Sequence, residues 1–206
     1  MDYIFTLGAL TLRPLTLGDS FELLKEANSE HVQRNMGDGY AWVNMDQMRE
    51  WVKEQSEVKP PHHFAIDRNG RLKGLIGIIK FPPGREDSDI YETVGFTFRD
   101  LVGFGHAADV LPFMAFYSFH ILGISKLMHR NFTWNRVMGR IALRCGYTYF
   151  GRFKIGFKNN QWVPQDVYIV TANRVTWPRL DRLADISKFF SAKVDGRLVC
   201  YHTKNH

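Results

Sequence analysis

The sequence predicts an α/β chain of the α+β kind, with a mixed, mostly antiparallel sheet of about seven strands flanked by about four helices. Three observations predict it. After one opening strand come helix-period segments, then three strand-period segments, then helix, strand, helix and two strands. The middle strands meet at Arg68-Asn69-Gly70-Arg71, an Asn-Gly turn that makes consecutive strands antiparallel. The stretch from Glu92 to Ala108 passes from period-two alternation through a glycine turn into an apolar segment, so a strand there leads directly into a helix.

Taken in order, Phe5 to Pro14 alternates as a first strand. Asp19 caps a helix running to about Asn28, with Glu22 three residues on as in a capping box. A short helical piece spans Ser29 to Asn35, before the Gly37-Asp38-Gly39 break. Asp46 caps a helix from Gln47 to Val58 with Met48, Trp51 and Val52 on its inner face, and Lys59-Pro60-Pro61 ends it. Strands His63 to Asp67 and Leu72 to Phe81 flank the Asn-Gly turn. A polar loop, Pro82 to Ser88, leads to the strand Glu92 to Phe98 and completes an antiparallel meander.

A helix follows from His106 to Leu122, with Val110, Phe113, Met114, Tyr117 and Ile121 at helical spacing and Pro112 near its start. Lys126 to Phe132 is a strand. Asn135 caps a helix from Arg136 to Arg144 that ends at Cys145-Gly146. Strands Tyr147 to Lys158 and Val163 to Val175 turn at Asn159-Asn160. Residues 1–178 make one domain. Residues 179–206 are an extension, with an amphipathic helix over Leu183 to Lys193 and a hairpin over Val194 to Val199.

A hydrophobic content of 45% and an aromatic content of 14% exclude a disordered chain. Cys145 and Cys200 give no disulfide framework, and no residues have zinc-site spacing, so no metal is expected. The N-terminus lacks the basic start and small-residue cleavage site of a signal peptide. The longest near-apolar run, Val110 to Ile124, falls short of the ~20 residues that cross a bilayer. The expectation is a cytoplasmic protein without a membrane partner, monomer or homodimer. Net charge is +6, and its distribution says more than its total. No Asp or Glu occurs from Val110 to Gln165, a stretch that carries Lys126, Arg130, Arg136, Arg140, Arg144, Arg152, Lys154 and Lys158. A one-signed region of that length points to an anionic partner: a phosphorylated cofactor, an acidic substrate or nucleic acid.

The glycine turn, Val102-Gly103-Phe104-Gly105-His106-Ala107, suits the first of these. Glycines let a main chain approach a ligand closely, and the first amides of a helix are unpaired and carry partial positive charge.

Four pieces in order then carry a family resemblance. They are Leu12-Arg13-Pro14-Leu15; Gly95-Phe96-Thr97-Phe98 before Gly103-Phe104-Gly105-His106-Ala107-Ala108-Asp109; Phe119 to Leu127; and Asn135 with Gly146-Tyr147 eleven residues on. In them the chain, from about Leu10 to Trp177, resembles the GNAT acetyltransferase superfamily in its RimJ/RimL-like branch. It departs from the family pattern at Asp100, at Met138 where the branch has a serine, and at Ala142 where many relatives have a tyrosine acid.

The resemblance implies a GNAT fold splayed between the fourth and fifth strands, with acetyl-CoA as co-substrate. The pantetheine arm would lie along Phe96, Thr97 and Phe98. The pyrophosphate would rest on the turn from Val102 through Gly103, Phe104, Gly105 and His106 to Ala107. Asn135 would face the same cleft, and Arg140, in a stripe with Arg136 and Arg144, would reach phosphates. Glu92 is the first candidate for the base and Asp166 the second. His31, His62, His63 and Tyr168 are candidates for the acceptor side. The activity implied is acetyl transfer to a primary amine: a protein N-terminus, a lysine or a small amine. The alternatives are a relative that modifies a nucleic-acid base or other acidic acceptor, and a degenerate binding protein.

Overall fold

A computed structural model describes residues 3–38, 44–82, 89–103, 105–176, 190–194 and 197–199. The strands are β1 (Ile4–Leu7), β2 (Leu10–Pro14), β3 (His63–Arg68), β4 (Arg71–Lys80), β5 (Ile90–Thr97), β6 (Lys126–Phe132), β7 (Thr148–Lys158), β8 (Gln161–Val170), β9 (Phe190–Val194) and β10 (Arg197–Val199). The helices are α1 (Ser20–Ala27), α2 (Glu30–Gln33), α3 (Met45–Glu57), α4 (Ala107–His120) and α5 (Arg136–Arg144). All ten strands join one sheet in the order β10-β9-β1-β2-β3-β4-β5-β6-β8-β7. Every pairing is antiparallel except that of β5 with β6.

The expected meander is β3, β4 and β5. Its first turn places Asn69 and Gly70 at φ 53° and 70°, the left-handed pair that a two-residue hairpin requires. Asn159 and Asn160 do the same between β7 and β8.

Several boundaries differ from expectation. The single first strand is a hairpin, because Gly8 takes φ 58° and turns β1 back onto β2. Asp19 holds the N-cap position of α1 as expected, but its side chain makes no bond there and instead closes a capping box around Thr16, accepting from the Thr16 amide at 2.8 Å. Asn44, not Asp46, caps α3, its side chain accepting from the Gln47 amide. The expected helix over Leu183 to Lys193 falls mostly outside the described residues, and its end is strand: β9 pairs with β1, and β10 with β9.

Two apolar layers cover the sheet. On one face lies α4, buried nearly all round, as a helix with apolar residues on every side must be. Its Phe113 and Tyr117 pack with Phe5 and Phe64, ring centroids 5.0–6.1 Å apart. Tyr117 also donates its hydroxyl to the Pro61 carbonyl at 2.9 Å. Ala142 of α5 joins this core. On the other face Leu23 of α1 and Met48 and Val52 of α3 cover Ala65 and Leu75. Each fully buried side chain of this size contributes about 1.5–3 kcal/mol.

Gly95 sits where β5 leaves β6. A Cβ there would stand 2.3 Å from the Leu75 carbonyl oxygen, an approach no side chain tolerates. Gly95→Ala is expected to lower stability by roughly 1–3 kcal/mol, the usual cost of overpacking. Guanidinium denaturation measures it, and an unchanged midpoint would show that β4 and β5 are not held this close.

Candidate functional site

The site starts from an interrupted pairing. Parallel β5 and β6 are registered over four couples only: Ile90 with Lys126, Tyr91 with Leu127, Glu92 with Met128 and Thr93 with His129. Beyond them β5 runs on to Thr97 and β6 to Phe132 without pairing to each other. Each stays fully paired on its outer side, β5 to β4 and β6 to β8. A gap therefore opens between two rigid half-sheets, leaving the inner main chain of Val94 to Thr97 without a β-partner.

At the apex of the gap, on the α4 face, the Thr93 hydroxyl donates to the Met128 carbonyl (3.3 Å) and accepts from His129 Nδ1 (3.1 Å). Burial, helped by the charge of Arg130, pushes His129 down to about 4, so the ring is neutral. Its Nε2 is buried without a hydrogen-bond partner among the described residues.

The glycine bend follows β5. Phe98 is buried and stacks on Phe96, ring centroids 6.4 Å apart, while Thr97 is half-buried. After a 3-10 turn over Arg99–Leu101, Val102 and Gly103 are exposed, and Gly103 and Gly105 take φ 91° and 73°. Phe104 lies outside the described residues. Around a Cβ built on Gly103 no atom of the described residues beyond its neighbours in the chain comes within 4 Å, so Gly103 itself faces open space. The amides of Gly103, Gly105 and Ala107 meet no acceptor among the described residues. His106 is buried at the start of α4, its Nδ1 3.6 Å from a carboxylate oxygen of Asp109. A glycine bend exposed at Gly103, leading into the N-terminus of a fourteen-residue helix, suits an anion such as a diphosphate.

Asn135 occupies the N-cap position of α5, but its side chain makes no capping bond, and it is not among the residues lining the cleft on the opposite face. Arg136, Arg140 and Arg144 are exposed along α5, on the same side of the sheet as α4.

The other face carries a cleft of about 330 Å³. Its lining includes Val94, Gly95 and Phe96, the β5 residues beyond the last paired couple. Its far wall comes from Met36 and from Trp51 and Gln55 of α3, with His62, His63 and Lys80 beside them. His63 Nδ1 lies 2.8 Å from Gln55 Oε1, and Trp51 meets the His63 ring edge-on at 5.2 Å.

Glu92 lies on this face, 4% exposed, and both its oxygens are bound by Arg130: Nε to Oε1 at 2.8 Å and Nη2 to Oε2 at 2.7 Å. Burial raises the Glu92 pKa, and Arg130 opposes that rise. Arg130 also donates to Gln165 Oε1 (3.2 Å) and covers the Phe81 ring at 4.5 Å.

Asp166 and Tyr168 point to the α4 face instead. Asp166 pairs with Arg152 at 2.8 Å and accepts from the Tyr149 hydroxyl at 3.4 Å. Tyr168 is buried against Gly139 of α5, where a Cβ would stand 2.4 Å from its hydroxyl oxygen. Its pKa is raised by burial and by the charge of Asp166. The two carboxylates are thus on opposite sides of the sheet, as are His63 and Tyr168. His31, on α2, does not line the cleft. Two partnerships escaped the sequence reading, Arg130 with Glu92 and Gln55 with His63. The second left a signal: Gln55 continues the inner spacing of Met48, Trp51 and Val52 on α3. No cluster of metal-binding side chains occurs among the described residues, and no helix among them is long and apolar enough to cross a membrane.

Comparison with known proteins places this geometry. The chain resembles Mycobacterium smegmatis RimJ in complex with CoA-disulfide at 15% identity, with 84% of this chain and 87% of that one covered and a TM-score of 0.67. It resembles the spermidine N-acetyltransferase of Vibrio cholerae in complex with CoA and spermine at 19% identity, with 81% and 97% covered and a TM-score of 0.69. RimL, a ribosomal L7/L12 alpha-N-protein acetyltransferase in complex with coenzyme A, aligns at 14% identity over 80% and 94%, with a TM-score of 0.65. A search of curated proteins finds no match. The family model of the acetyltransferase (GNAT) domain matches residues 9–148, and the chain belongs to that GNAT acetyltransferase family.

Proposed function

We propose that this protein moves the acetyl group of acetyl-CoA directly to a primary amine. The observation that carries the reading is the gap between β5 and β6, with an open glycine bend on one face and a cleft on the other. A diphosphate on the amides of Gly103, Gly105 and Ala107 fixes one end of acetyl-CoA, and Arg140, exposed on α5 on the same side of the sheet, is a further candidate to meet its phosphates. The pantetheine arm then runs along the free edge of Phe96 to Phe98, and the thioester reaches the floor of the cleft. An amine entering past Trp51 and Met36 meets it from the other side. Holding two reactants this way supplies up to ~7–11 kcal/mol of a bimolecular barrier.

The acceptor that suits the cleft is a single amine on an apolar or neutral body, such as a protein N-terminus. Among the described residues its lining holds no carboxylate and includes Lys80. A polyamine, with several charges to place, needs acidic partners. A nucleic-acid acceptor is the second reading, favoured by exposed Tyr149, Phe150, Phe153, Phe157 and Trp162 close to exposed Arg140, Arg144 and Lys154.

Titration calorimetry is expected to show acetyl-CoA binding, weakened about tenfold by Arg140→Ala, the worth of one charge-assisted hydrogen bond. No heat from the unsubstituted chain would remove the transferase reading. With acetyl-CoA present, release of free thiol is expected to be at least about tenfold faster with a free-amine peptide than with spermine, a difference of about 1.4 kcal/mol. The reverse order would assign the acceptor to the polyamines. Anisotropy of a labelled single-stranded oligonucleotide is expected to show little binding. Tight binding that falls steeply with added salt would favour the nucleic-acid reading instead.

A further inference from the structure

We propose that His63, held by Gln55, takes the proton from the attacking amine, and that Glu92 serves as a clamp rather than as the base. The assignment rests on the transferase reading above.

The geometry of His63 begins with what fixes the ring. An amide oxygen only accepts, so the 2.8 Å contact with Gln55 Oε1 places the proton on Nδ1. That leaves the lone pair on Nε2, which has no partner among the described residues, in a ring that lines the cleft. The ring lies over Gly77 of β4, where a Cβ would stand 2.2 Å from its Cδ2. Trp51 holds the other side edge-on. A ring fixed on three sides in a residue that lines the cleft, with its second nitrogen unpartnered among the described residues, has the form of a base held by an orienting partner.

Protonation state agrees with this. Burial and the neighbouring His62 lower His63 to about 4, so the imidazole is neutral and able to accept a proton at neutral pH, while the same burial makes it a weaker base than a free histidine. Facing it are Gln55 and Trp51 from α3 and Gly77 from β4. The other titratable groups lining the cleft are His62 and Lys80. No carboxylate among the described lining residues competes for the proton.

Glu92 has the opposite geometry. Both its oxygens are bound by a guanidinium that also covers Phe81 and reaches Gln165. Burial raises its pKa, but protonating it would leave the Arg130 guanidinium buried without its counter-charge. Its register partner, Met128, lies within the paired base of the gap.

The chemistry balances with His63 alone. The amine lone pair attacks the thioester carbonyl carbon and a C–N bond forms. The N–H proton passes to Nε2, the C–S bond breaks, and the imidazolium returns the proton to the departing thiolate. The products are the acetamide and free CoA thiol.

The test uses the full chain with acetyl-CoA and a free-amine peptide. His63→Ala is expected to lower kcat by roughly 10²-fold or more. It should leave acetyl-CoA affinity unchanged, and added imidazole should restore part of the rate, as no purely structural residue would allow. Gln55→Glu is expected to raise the His63 pKa, because a carboxylate stabilises the imidazolium, and to move the acid limb of the pH–rate profile upward with it. Gln55→Leu is expected to lose turnover. In long-range ¹H–¹⁵N spectra of the unsubstituted chain, His63 is expected to be neutral and protonated on Nδ1 at neutral pH. An Nε2–H tautomer or an imidazolium there would overturn the assignment whatever the kinetics. So would a His63→Ala variant that keeps the parent rate while Glu92→Gln loses it, and in that case acetyl-CoA binding would leave the transferase reading standing.

Discussion

The structure depends on where the β5–β6 ladder stops. A parallel pair with free edges would zip together to satisfy its amides and carbonyls. Here each strand is committed elsewhere. β5 is registered to β4 through seven couples, from Gly74 with Thr97 to Lys80 with Tyr91, and β6 to β8 through six. Gly95 presses into β4 so closely that only a residue without a side chain fits, and it carries β5 away from β6 just past the last couple. The half-sheets are held apart by their own pairings, so the gap needs no ligand to keep it open. What stays unsatisfied along its edges is main chain, which suits an amide-rich arm such as pantetheine.

The ends of the paired segment are fixed electrostatically. Glu92 and Arg130 lock β5 to β6 on one face, and Thr93 and His129 do so by hydrogen bonds on the other. Buried pairs of this kind add little net stability, because desolvation offsets most of the attraction, but losing one partner is costly. Their effect here is registration: a one-residue slip of β6 would leave both Glu92 and Arg130 buried and unpaired. That constraint explains why a carboxylate at this position is consistent with a site that assigns the proton elsewhere.

Much of this was readable in the chain. β6 and α5 have the predicted bounds because Lys126 to Phe132 and Arg136 to Arg144 keep one period each, with Asn135 and Cys145-Gly146 as clear stops. The β1–β2 hairpin was missed although it left a trace. The buried residues are Phe5, Leu7, Leu10 and Leu12, so the alternation slips by one at Gly8-Ala9. The faces of Glu92 and Asp166 could not be read, because they depend on the pairing of β6 with β8, and no local pattern encodes which strand a segment will meet. The pairing of His63 with Gln55 joins α3 to β3 and is likewise a tertiary fact. A single polar residue on an apolar helix face was its only sign.

The charge of the chain takes on a direction once the acids outside the basic stretch are placed. Arg130, Arg152 and Lys158 are taken up by Glu92, Asp166 and Asp38. Arg136, Arg140 and Arg144 remain exposed on α5, on the side of the sheet where the glycine bend presents its amides. These exposed positive charges lie on the side of the sheet that carries the glycine bend, while the opposite cleft is lined mostly by apolar and neutral groups. An amine gives up a proton more readily in such a cleft than in one lined by carboxylates, since desolvation disfavours the ammonium form. On the proposed reading the sheet separates two demands that conflict in one pocket, holding a polyanion and presenting a neutral nucleophile.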